Sequence, residues 1–141
     1  SDVPFDFAAC MRDGLDLVVV ERRDRWSELI DAAVEGPPTD FNPNGWVVTA
    51  FQAALAAIVH TPVHDEEPSR HLVDALEAAV RIGHDTDTVA AIAGGLLGAR
   101  WGASAIPDWW RSVLHGRRRS GEPVVEAVDL EILARRAVTG A

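Results

Sequence analysis

Asp85-Thr86-Asp87-Thr88 places two carboxylates and two hydroxyls in four consecutive residues. On a regular helix, residues i and i+2 do not face each other. In the turn that enters a helix they can converge, and the neighbouring hydroxyls then add further oxygen. An oxygen-only cluster suits a hard cation such as magnesium, which takes oxygen ligands and keeps several of its waters. Asp and Thr are also favoured helix N-caps. From these four residues alone, capping and metal binding both remain open.

The elements around the cluster would have to hold it. Gly83 ends the preceding apolar-periodic segment, Ser69 to Ile82, which carries Leu72, Val73, Leu76, Ala79 and Val80 at helical spacing. Thr88 to about Trp101 follows as a helix rich in alanine and glycine, expected to be buried. Gly94, Gly95 and Gly98 each cost roughly 1 kcal/mol against alanine in a helix interior. They are read as letting another helix approach closely and stiffen the base of the cluster.

Further helices are predicted from Asp6 as a cap through Arg12 and over Arg22 to Val34. Others are predicted over Trp46 to His60, which is apolar on nearly every side, from Pro107 over Trp109, Trp110, Val113 and Leu114, and over Glu126 to Val138. Leu17 to Val20 reads as a strand by its β-branched run. The predicted class is all-α, residues 1–141 forming part of a single domain. Two nearly all-apolar helices in so short a chain predict surface that needs covering by a partner chain or by a further part of the same protein.

Composition narrows the function. The chain has 141 residues, 48% of them apolar, and a net charge of −9 from 13 basic and 22 acidic residues. That is a globular composition, and the acidic balance disfavours a nucleic-acid partner. No stretch reads as a membrane span or a leader peptide, since the longest nearly apolar run, Trp46 to Val59, falls short of the ~18–20 residues required. A cytoplasmic protein is expected, and the single cysteine, Cys10, suits a reducing compartment. Cys10 is read as a buried structural residue.

The stretch from Gly83-His84-Asp85-Thr86-Asp87-Thr88 through Gly94-Gly95-Leu96-Leu97-Gly98-Ala99, with Trp101-Gly102 and Ile106-Pro107 after it, resembles the signature of the ADP-ribosylglycohydrolase family. That family includes the dinitrogenase-reductase-activating glycohydrolases and the J1 crystallins. Asn44-Gly45-Trp46-Val47-Val48, with Ala53-Ala54-Leu55 behind it, resembles the family's glycine-aromatic-valine helix start. The resemblance implies an all-α fold with a magnesium pair, for which manganese can substitute, beneath a cleft that takes ADP-ribose. It implies hydrolysis of an ADP-ribosyl glycosidic bond. On the matching positions Asp85, Asp87 and Thr88 would be metal ligands, and Gly45 and Trp46 would border the ADP-ribose. His84 stands where the family often has a second glycine.

The family's N-terminal half supplies a Thr-Asp-Asp cluster and an acidic residue proposed to activate water. No Thr-Asp-Asp occurs here, and Thr39-Asp40 is followed by Phe41. The chain also opens Ser-Asp-Val-Pro. It is therefore expected to be the C-terminal half of such a domain, with its general base outside the chain. The complementary half, or self-association, is expected to complete it. The competing expectation is a non-catalytic relative that binds ADP-ribose or serves structurally, as a crystallin does.

The remaining candidates read as structural. His60, His64 and His71 are separated by Pro62 and Pro68, which break any shared helical face for a zinc site. Arg117-Arg118-Arg119 reads as a solvated loop, and Trp109-Trp110 as core or interface packing.

Overall fold

The computed structural model describes residues 5–117 and 119–140. Its first helix starts where the sequence offers a cap: the Asp6 carboxylate accepts the Ala9 backbone N–H at 3.0 Å and opens α1 (Phe7–Asp13). α2 (Val20–Glu35), α3 (Val47–Val59), α4 (His71–Arg81) and α5 (Thr86–Trp101) follow. After them come the short α6 (Asp108–Val113) and the final α7 (Ala127–Thr139). The two-residue strands β1 (His115–Gly116) and β2 (Val125–Glu126) pair antiparallel between the last two helices. Among the described residues the protein is all-α apart from this ladder. Among the described residues no helix is long and apolar enough to cross a membrane.

The chain forms two compact units, divided between Trp101 and Gly102. The first is built around α3. Ala50 and every residue from Gln52 to Ile58 are buried, and α1, α2, α4 and α5 all pack against it. Small alanines on most sides permit such close covering. Gln52, the polar exception, satisfies its amide by donating to the Leu29 carbonyl at 3.0 Å. The chain thus covers most of this helix itself, leaving Val47 at its start exposed.

α5 departs from expectation in the other direction. It buries a single line, Val89, Ala93 and Leu97, while Thr88, Ala91, Gly95 and Ala99 are exposed. Its glycines are not sites of forced close approach. A Cβ at Gly94 would sit 3.7 Å from Leu76 Cδ2, an ordinary contact, and at Gly95 or Gly98 it would meet nothing within 4 Å.

The run Leu17 to Val20 is not a strand. Gly14–Leu17 is a 3₁₀ turn and Val20 already begins α2. The Arg23 guanidinium donates to the Val18 carbonyl at 2.9 Å and to the Asp16 carbonyl at 2.8 Å, which ties the run back onto the helix behind it.

In the second unit Pro107 is the N-cap of α6 rather than its first residue, and Glu126 caps α7 in a reciprocal box with Asp129. Arg111 pairs with Glu131. Trp109 stacks edge-on against Trp110 but is 68% exposed, so it is not a core residue. Arg117 and Arg119 are exposed, and Arg118 lies outside the described residues.

Candidate functional site

The link between α4 and α5 turns on two consecutive left-handed residues, Gly83 at φ +85° and His84 at φ +60°. Glycine takes that conformation freely, whereas histidine pays a steric cost for it. The reversal delivers Asp85 to the N-cap position of α5. Its Oδ1 accepts the Thr88 backbone N–H at 3.4 Å, and its carbonyl accepts the Val89 N–H at 3.3 Å. The capping role is therefore realised by Asp85.

Capping does not use up the carboxylate. Asp85 precedes the helical residues and caps the Thr88 backbone N–H, and Asp87 stands beside Thr88 in the first turn of α5. The Thr88 hydroxyl first, then Asp87, hold the Asp85 carboxyl below the usual aspartate value of 3.8 against the opposing effect of burial, with the Thr88 backbone N–H adding to the lowering. Asp85 is partly exposed, and Asp87 and Thr88 are exposed. The product is a solvent-accessible set of hard oxygen donors at the start of a helix.

The second predicted segment meets this turn through its first residue, to which the sequence assigns no role of its own. Asn44 is fully buried. Its Nδ2 donates to the Gly83 carbonyl at 3.1 Å, and its Oδ1 accepts the Asp85 backbone N–H at 2.9 Å. Gly45 and Trp46, which follow directly, therefore lead away from the Asp85 turn into α3. Trp46 is the N-cap residue of α3 and is 61% exposed. Its carbonyl lies 2.9 Å from the Thr49 hydroxyl. A Cβ at Gly45 would meet nothing within 4 Å, so the backbone there is open to approach. No local signal could have marked Asn44, because its partners lie 39 and 41 residues away.

The donor set fits one edge of a magnesium or manganese shell. Two carboxylates and a hydroxyl leave most of an octahedral shell to be filled. Among the described residues no group of three or more His, Cys, Asp or Glu side chains could hold a metal ion. The histidines are dispersed. His71 is buried with Nε2 3.0 Å from the Ile58 carbonyl, His64 lies 3.0 Å from the Asp74 carboxylate, and His60 is exposed. Cys10 is exposed, which corrects the expectation of a buried cysteine.

A family model described as ADP-ribosylglycohydrolase matches residues 6–140 of the chain. The chain is also similar to an ADP-ribosylarginine hydrolase, Tri1, of Pseudomonas putida (strain GB-1), with 37% identity over 67 residues. That alignment takes in 48% of this chain and 16% of the relative, so only a minor part of the relative's length has a counterpart here. No solved structure matches.

Proposed function

Because the chain belongs to the ADP-ribosylglycohydrolase family, we propose that it contributes one side of a divalent-cation site to the hydrolysis of an ADP-ribosyl glycosidic bond. The carrying observation is that Asp85 caps the start of α5 through the Thr88 N–H with Asp87 in the same first turn, on a turn bonded to the residue before Gly45 and Trp46. In this reading the two carboxylates and the Thr88 hydroxyl hold magnesium, or manganese in its place. The open backbone at Gly45 and the exposed face of Trp46 border the ADP-ribose.

The chemistry explains why these residues need a complement. Glycosidic cleavage passes through an oxocarbenium-like state and requires a positioned water with carboxylate assistance. A bound divalent cation supplies orientation of the ribose hydroxyls and polarisation of the attacking water. Asp85 and Asp87 are committed to holding it, and Asp85 also caps a helix, so neither is free to act as general base. That carboxylate, with the remaining ligands, is assigned to the N-terminal half of the family's domain, and two ions to the completed site.

The similarity to an ADP-ribosylarginine hydrolase makes the N-glycosidic bond to arginine the first linkage to test. The experiment follows release of free ADP-ribose from an ADP-ribosylated arginine peptide, with magnesium and with a chelator. The chain is assayed alone and together with the family's N-terminal half. Little release by the chain alone and chelator-sensitive release by the pair are expected. Release that a chelator does not affect overturns the metal assignment. Binding of ADP-ribose by the pair without any hydrolysis would establish the non-catalytic alternative instead.

A further inference from the structure

We propose that Asn44 is a positioning residue for the cation-facing turn: its carboxamide locks the backbone on both sides of His84 and so aims Asp85 and Asp87 at one ion. The proposal rests on the metal reading above and adds to it a residue outside the acidic cluster.

The bonding is specific to a carboxamide. The Gly83 carbonyl needs a donor and the Asp85 N–H needs an acceptor, and Asn44 supplies both from one planar group at 3.1 and 2.9 Å. These two backbone groups flank His84, whose φ of +60° is a conformation a histidine does not adopt without cause. The side chain is fully buried, so water cannot replace either bond. An apolar side chain of similar size would orphan both groups. The turn would then be free to relax toward right-handed φ at His84, which redirects the Asp85 backbone and with it the carboxylate. Asn44 touches neither cation nor substrate. It acts through Asp85, as outer residues of metal sites act through the ligands they orient.

The test uses Mn²⁺ as a paramagnetic probe on the isotopically labelled chain, reading amide line broadening at residues 85–88 as the ion is titrated. In the wild type, broadening centres on those residues. Asn44→Leu removes both bonds and should weaken the apparent Mn²⁺ affinity by about tenfold or more, with faster hydrogen exchange at the Asp85 amide. Exchange at Leu55 and Ala93 in the core stays protected. Asn44→Asp keeps an acceptor for the Asp85 N–H and should recover part of the protection at Asp85 and part of the affinity. If Asn44→Leu does not fold, Asn44→Asp carries the test alone, with an affinity below wild type expected in a folded chain. Wild-type Mn²⁺ affinity in either folded variant, or an unchanged Asp85 exchange rate in Asn44→Leu, overturns the proposal. A wild-type chain in which Mn²⁺ broadens none of residues 85–88 overturns the metal reading itself, and the cation-aiming role with it. The two failures are told apart by which protein shows them.

Discussion

Trp101, the last residue of α5, donates its indole N–H to Nδ1 of His71, the first residue of α4, at 3.2 Å. An indole nitrogen only donates, so Nδ1 carries no proton, and Nε2 holds the one it gives to the Ile58 carbonyl at 3.0 Å. One buried ring thereby fastens the start of α4 to the ends of α3 and α5. The Asn44 bonds fasten the opposite end of α5, where Asp85 lies, so the helix is anchored at both termini.

Trp101→Phe keeps the ring stacking but removes the donor, leaving the buried Nδ1 unsatisfied. The expected loss of stability is about 1–3 kcal/mol. Urea unfolding should show a lower midpoint with an unchanged m-value. A midpoint equal to wild type would mean that the bond contributes nothing net.

Asp87→Ala should abolish magnesium-dependent ADP-ribose release by the completed enzyme and leave thermal unfolding nearly unchanged, because the side chain is exposed. At Asp85 the cap must be preserved. Asp85→Asn remains a good N-cap while losing the charge, and is expected to be as inactive as Asp87→Ala. Full magnesium-dependent turnover in both variants would remove the two residues from the site.

The Asp85 carboxyl is held down first by the Thr88 hydroxyl, so Thr88→Val should raise its midpoint toward the usual 3.8. A depressed carboxylate stabilises the fold above its unfolded pKa, and that contribution is lost as pH falls through the lower, folded value. Thr88→Val should therefore reduce the dependence of stability on pH in the acid range. Titration of the side-chain carboxyl carbon by NMR reads the shift directly. A midpoint that stays low in Thr88→Val would assign the depression to another partner.

Apolar surface is open on the first unit. Leu17, Val19 and Val20 are exposed, and a groove of about 470 Å³ is lined by Met11, Leu15, Val18, Trp26 and Phe51 among others. Exposed apolar residues of this size, where they join into one patch, mark an interaction surface. Sedimentation velocity should show concentration-dependent association of the chain, diminished in Leu17→Glu. A monomer at all concentrations would show that this surface needs no cover.

Much of this architecture is legible in the sequence because apolar spacing and punctuation agree. Gly36-Pro37-Pro38 and Gly83 stop helices where the structure stops them, and Asp6 starts one. The failures have physical causes. Leu17 to Val20 carries strand propensity but no strand partner, and Arg23 binds it into a turn, so tertiary bonds override the local preference. The face that α5 buries was invisible because alanine and glycine surround it almost evenly and no polar side marks the exposed face. The capping role of Asp85 could be read from residue types and spacing. What holds the turn could not, since Asn44 reaches it only after α3 and α4 have folded back on each other.

That separation has a kinetic consequence. The Asn44–Asp85 bond spans 41 residues, and closing so long a loop costs entropy that nearer contacts must already have offset. The helix pairs should condense first and the Gly83–Asp85 turn should lock last, after the rate-limiting barrier. Destabilisation by Asn44→Ser would then appear almost entirely as faster unfolding, with the refolding arm of the chevron unmoved. A refolding rate that falls in proportion to the lost stability would place the bond in the folding nucleus. On the late-locking order, the molecule passes through a form with a finished core and an unset turn each time it folds.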